Sequence, residues 1–161
     1  MPATLHILVG KIASGKSTLA KQLGSEWQTV LIAEDDWLSR LFGEEMQNIS
    51  DYVRYSARLR TALFPHIASL LQANVPVVLD FAANTFDMRA WMRDIIDTSG
   101  CDHIMHFLDV PDDVCRARMH ARNATGTHPF QPNDEQFDWI TSHFVPPTES
   151  ENFNITLYHT E

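Results

Sequence analysis

The run "LHILV", Leu5 to Val9, followed at once by "GKIASGKST", constrains this chain more than any other feature. Four apolar residues around His6, two of them β-branched, suit a buried strand that Gly10 ends, and Lys16 to Leu23 then reads as a helix stopped at Gly24. Between the two, Gly10, Gly15, Lys16 and Ser17 satisfy the spacing GxxxxGK[ST]. Glycines in such a turn let the backbone curl until amide N–H groups, here of the Ala13–Ser14–Gly15 stretch, and the helix N-terminus converge on one anion. A lysine at the position of Lys16 reaches the β- and γ-phosphates of a nucleoside triphosphate. The Ser17 hydroxyl can ligate Mg²⁺, and Thr18 stands next in line for the α-phosphate.

Further along, strands and helices alternate. Thr29–Ala33, Val75–Asp80, His103–Val110 and Phe153–Tyr158 read as strands. Helical spacing runs from Asp51 to about Gln72, with Pro65 expected to kink or break it, and again over Phe86–Thr98, Pro111 to about Asn123, and Asp134–Phe144. The polar stretch "ATGTHPFQPND" reads as a loop. This alternation implies a parallel sheet joined by right-handed crossovers, with helices on both faces, in a chain of 161 residues, the size of one domain.

Ligands of open parallel sheets bind at the carboxyl ends of the strands. Asp35 and Asp36 fall there, just after the second strand. A carboxylate in that place could accept the proton of an attacking hydroxyl, or either residue could cap a short helix over Trp37–Phe42. Asp80 closes the third strand at the same edge, either holding Mg²⁺ through water or accepting a strand-end hydrogen bond. Arg118 and Arg122 lie four apart on one helix face before the polar loop, where a lid over about 117–135 would bring guanidinium groups to a transferring phosphate; a solvated basic face is the alternative. Asp36, Trp37 and Arg40 could line an acceptor pocket beside the base.

The ordered set "LHILVGKIASGKST", "AEDDW", "VVLDFAANT", "FLDVPDDVCRARMHARN" and "FVPPTESENFN" resembles polynucleotide 5′-hydroxyl kinases and the small P-loop kinases grouped with AAA-type ATPases. Zeta-type toxin kinases and chloramphenicol phosphotransferases are similar at a greater distance. The resemblance implies an α/β P-loop NTPase fold, with five parallel strands in the order 2-3-1-4-5, helices around them and a small lid. It also implies Lys16 and Ser17 on phosphate and metal, Asp35 as general base, and Arg122 as the main lid arginine with Arg118 assisting. Two departures stand out: Leu38 occupies the arginine position of the family's Asp-x-x-Arg, and Asn152 stands where the tail pattern has glycine.

The net charge of -9 leaves no general basic surface for a polynucleotide, and Leu38 removes the arginine that serves one in the family. The expected function is therefore a kinase using ATP and Mg²⁺ on a hydroxyl of a small molecule. A polynucleotide 5′-hydroxyl kinase is the alternative within the class, and a nucleotide-hydrolysing switch the alternative outside it. Two cysteines without a CxxC spacing, no secretory signal and no apolar run near the ~20 residues of a membrane span point to a soluble cytoplasmic protein. The eight histidines form no recognisable metal motif; His103 and His106, three apart on a strand, face opposite ways.

Overall fold

The computed structural model describes residues 2–126 and 131–159. Strand β1 (Thr4–Val9) lies at the centre of a five-stranded sheet between β3 (Val77–Ala82) and β4 (Asp102–Asp109), with β2 (Val30–Ala33) and β5 (Ile155–His159) at the edges. Every pairing is parallel, and the order β2-β3-β1-β4-β5 is the one expected. Leu5, Ile7, Leu8 and Val9 are wholly buried, because the central strand is covered on both faces.

Leu5, Ile7 and Val9 join the main core with Val77, Leu79 and Phe81 and with residues of α3 (Ile49–Gln72) and α4 (Phe86–Ser99). Leu8 and Val78 pack instead with Ala20 of α1 (Lys16–Gly24). A smaller cluster, Val110, Cys115, Met119 and Phe137, joins α5 (Asp112–Thr125) to α6 (Asp134–Ser142) and touches Ile12 and Ala13 of the loop after β1. Of the expected lid, residues 127–130 lie outside the described residues.

Several expectations are corrected. Pro65 neither breaks nor ends its helix: α3 runs through it from Ile49 to Gln72. Pro65 is exposed, so the carbonyl it leaves without a partner meets water, while Leu59, Leu63, Ile67 and Leu71 bury the other side. The short helix after β2 begins earlier than expected. Helix α2 (Glu34–Phe42) has Ala33 as its N-cap with no side-chain cap bond, so Asp35 and Asp36 lie in its first turn, where the helix dipole favours carboxylates. Strand β3 is displaced two residues forward, so Asp80 precedes its end, at an irregularity where the register with β1 jumps from Ile7–Leu79 to Leu8–Ala82.

The segment before β5 is clamped from beneath. Arg89 on α4, fully buried, pairs through Nε with Glu151 at 2.7 Å and donates from Nη1 to the carbonyls of Ala83 and Val145 at 2.9 and 2.8 Å. Asn152 ends the 3₁₀ turn Glu149–Glu151 with φ 59°, the left-handed conformation that explains glycine in the similar tails; asparagine is the side chain that tolerates it best.

Candidate functional site

The parallel pairing gathers the carboxyl ends of β1, β2 and β3 at one edge of the sheet, where the loop Gly10–Lys16 arches back over β1. Its curl uses two left-handed residues, Ala13 at φ 62° and Gly15 at φ 103°. A Cβ on Gly10 would run into the Ser14 hydroxyl and sit 3.3 Å from the Leu108 carbonyl, so any larger residue there has to turn Ser14 aside and push the loop off that carbonyl. Lys16 Nζ donates to the carbonyls of Gly10 at 2.6 Å and Lys11 at 3.0 Å. Burial pulls its ammonium down to about 8, against the upward pull of Asp80 and Asp35.

Ser17 Oγ donates to Asp80 Oδ2 at 2.9 Å, and Thr18 is exposed beside it. One hydroxyl and one carboxylate are the oxygen donors Mg²⁺ accepts, since that ion keeps water and phosphate oxygens in its shell instead of entering a protein cage. The donor set fits Mg²⁺, and no group of three or more His, Cys, Asp or Glu forms a metal cage among the described residues. His103 accepts from the Asn154 N–H, and His106 meets His6 and Tyr158 at 2.9 and 2.8 Å.

Arg118 and Arg122 approach the loop from α5. Arg118 Nη1 reaches the Ser14 carbonyl at 3.5 Å, while the Arg122 guanidinium is held below its usual range by burial, an effect Asp35 opposes. Asp35 thus lies within electrostatic reach of both Lys16 and Arg122. Lys11 fixes the start of α5 through an ion pair with Asp112 at 2.6 Å. Asp36, Trp37 and Arg40 lie exposed on α2, whereas Leu38 is 1% exposed and belongs to the main core. The side chain at position 38 points inward, so an apolar residue there serves packing.

Two features escaped the sequence reading. Asn84, just past β3, accepts from the Gly10 N–H at 3.0 Å and donates to the Gly10 carbonyl at 2.7 Å. Its signal was its place in "VVLDFAANT", at the strand edge opposite the loop. Beside it opens a cleft of about 230 Å³. Asn84, Thr85, Glu34, Tyr52, Ser56 and Arg60 give it polar walls, and Val53, Met88, Ile140 and Phe144 give it apolar ones. Glu34 is 5% exposed and takes hydrogen bonds from Tyr52 and Ser56, each at 2.7 Å. Burial raises its carboxyl pKa, which those two bonds only partly offset. None of Asp36, Trp37 and Arg40 lines this cleft.

A strand, a glycine-bounded loop and a helix at the carboxyl edge of a sheet ordered 2-3-1-4-5 define the P-loop NTPase class. Within it, the AAA domain family matches residues 5–147, and the chain belongs to that family. Among solved structures, a Chloroflexus aurantiacus protein provisionally described as a kinase superposes with a TM-score of 0.77 at 20% identity, covering 99% of this chain and 89% of that one. Kti12 of Chaetomium thermophilum, in complex with ADP-AlF3, gives 0.71 at 15% identity over 97% and 88% of the two chains. The APS kinase CysC of Mycobacterium tuberculosis, in complex with AMPPNP and APS, gives 0.58 at 19% identity over 88% and 97%. At these identities the likeness is one of fold. No curated protein matches the chain.

Proposed function

We propose that this protein is an ATP-dependent phosphotransferase that passes the γ-phosphoryl group to a hydroxyl of a small molecule. One observation carries the reading: the cleft of about 230 Å³ opens at the same sheet edge as the loop and shares Asn84 with it, so an acceptor held there would lie beside the nucleotide. The shared fold with a kinase bound to AMPPNP and APS supports it.

In this reading the loop amides of Ala13, Ser14 and Gly15 and the Lys16 ammonium take the β- and γ-phosphates. Lys16 leaves the Gly10 and Lys11 carbonyls to do so. Ser17 and Asp80 would hold Mg²⁺, which when bound neutralises charge on the phosphate oxygens. Asp35 accepts the proton of the acceptor hydroxyl as the new O–P bond forms, the bond from phosphorus to the β,γ-bridging oxygen breaks, and ADP leaves. Arg122 and Arg118 stabilise the charge spread over the moving group. The net charge of -9 and the inward-facing Leu38 favour a small acceptor over a polynucleotide. No helix among the described residues is long and apolar enough to cross a membrane, and ATP as donor suits a cytoplasmic site of action.

The test is to incubate wild type and Lys16→Ala with ATP, Mg²⁺ and pooled metabolites and antibiotics, and to look by mass spectrometry for phosphoryl gain. A compound phosphorylated by wild type alone is the expected result. Stronger labelling of a short oligonucleotide from radiolabelled ATP would overturn the acceptor class. Nucleotide hydrolysis with no acceptor found would favour a switch.

A further inference from the structure

The walls of the cleft carry opposite charges that do not neutralise each other. Glu34 is anchored from Tyr52 and Ser56, one bond to each carboxylate oxygen. A carboxylate oxygen accepts more than one hydrogen bond, so Glu34 keeps acceptor capacity toward the cleft. Arg60, one turn beyond Ser56 on α3, is half-buried, and its charge reaches Glu34. Yet none of the ion pairs among the described residues includes Arg60. Its hydrogen bond is to Met88 Sδ at 3.7 Å, a weak acceptor for a group with five N–H donors. Arg60 also borders a second, more open cavity of about 460 Å³ between α3 and α4, which Asp87 lines as well, although no ion pair joins the two.

A ligand completing this arrangement brings an anion to Arg60 and hydrogen-bond donors to Glu34, with a carbon skeleton against Val53, Met88, Ile140 and Phe144. A cleft of about 230 Å³ limits it to a small molecule. In a chain of net charge -9, an acid is repelled from most of the surface and finds its counter-charge at Arg60. We propose that the phosphoryl acceptor is a small hydroxy acid, its carboxylate received by Arg60 and a second donor group, hydroxyl or ammonium, received by Glu34. This rests on the phosphotransferase reading, and the two can fail separately.

The experiment pairs three probe acids with counterparts lacking the carboxylate: D-glycerate with glycerol, L-homoserine with homoserine amide, and D-gluconate with gluconamide. Binding to the ADP-loaded protein is measured by calorimetry, and transfer from ATP by phosphorus NMR. At least one acid should bind roughly tenfold to a hundredfold more tightly than its counterpart, as expected for a charge-assisted bidentate contact. Homoserine as the favoured acid assigns an ammonium to Glu34; glycerate or gluconate assigns a hydroxyl. Arg60→Gln should raise KM for that acid by a similar factor, leave kcat within about threefold, and erase the preference over the counterpart, while Arg60→Lys restores part of it. No preference in any of the three pairs, or a preference that survives in Arg60→Gln, overturns the proposal. Preferential binding of an acid without transfer to any compound keeps the cleft assignment and removes the phosphotransferase reading. Transfer to the neutral counterparts alone does the reverse.

Discussion

Asn84 holds both backbone polar groups of Gly10, accepting from its N–H at 3.0 Å and donating to its carbonyl at 2.7 Å. A side chain from the end of β3 therefore shapes the loop that follows β1. Asn84→Ala removes both bonds and should cost about 1–3 kcal/mol of stability in urea melts. It should also weaken ADP binding by about tenfold in calorimetry, because the loop loses its preorganised curl. Asn84→Asp can still accept from the N–H but sets a carboxylate against the Gly10 carbonyl, so it should rescue little.

Lys16 gives a pH signature. Its ammonium is held at about 8 in the folded chain against 10.5 in the unfolded one. Between those values the unfolded chain binds the extra proton, so Lys16 contributes a rise in stability as pH climbs from about 8 to 10.5, and below that window its buried charge opposes folding. Lys16→Met should thus melt higher than wild type near neutral pH without nucleotide, with the gap closing towards pH 10. Phosphate beside the ammonium raises its pKa again, so ADP binding near pH 9 should take up close to one proton in wild type and none in Lys16→Met. Calorimetry in buffers of different ionisation heat reads this directly.

Once the acceptor is in hand, Asp35→Asn should lower kcat by about 10² to 10⁴, the range for losing a positioned base, with ADP affinity changed less than about twofold. Arg122→Ala should also act on kcat before nucleotide affinity, since its role falls on the moving group. Full turnover in Asp35→Asn would remove the base assignment.

Asn152 predicts an unusual substitution pattern. At φ 59°, with Arg93 Nη2 donating to the carbonyls of Glu151 and Asn152 at 2.9 Å each, the turn is held left-handed. Asn152→Gly should leave the melting free energy within about 0.5 kcal/mol, whereas Asn152→Ala should cost about 1 kcal/mol because alanine keeps the Cβ strain of the left-handed region without the local polar contacts that let asparagine adopt it. Equal losses in the two variants would mean that the asparagine side chain, not its conformation, matters.

What the sequence revealed divides along physical lines. The strands and the loop were legible because they rest on local pattern: a doubly buried strand reads as an apolar run, and GxxxxGK[ST] states its own geometry, whereas the strand order came only with the family resemblance. Of the kink or break expected at Pro65, the break does not occur, because propensity is local while the row of Leu59, Leu63, Ile67 and Leu71 that holds α3 together is a tertiary matter. In the sequence Glu34 is simply the first of three consecutive acidic residues, and only its partners Tyr52 and Ser56, 18 and 22 positions away, separate it from Asp35 and Asp36. Asn84 and Arg89 were hidden for the same reason, with partners 74 and 62 positions distant.

The Arg89 clamp bears on the order in which the molecule can mature. The loop at Gly10–Lys16 is synthesised well before the segment around Val145–Glu151, but Asn84 shapes it, the Val145 N–H bonds the Asn84 carbonyl at 2.8 Å, and Arg89 ties Ala83 to Val145 and Glu151. A nascent chain halted anywhere before residue 145 would thus display the motif without its finished form. The loop's finished shape is tied to contacts made by a segment that follows it by more than a hundred residues.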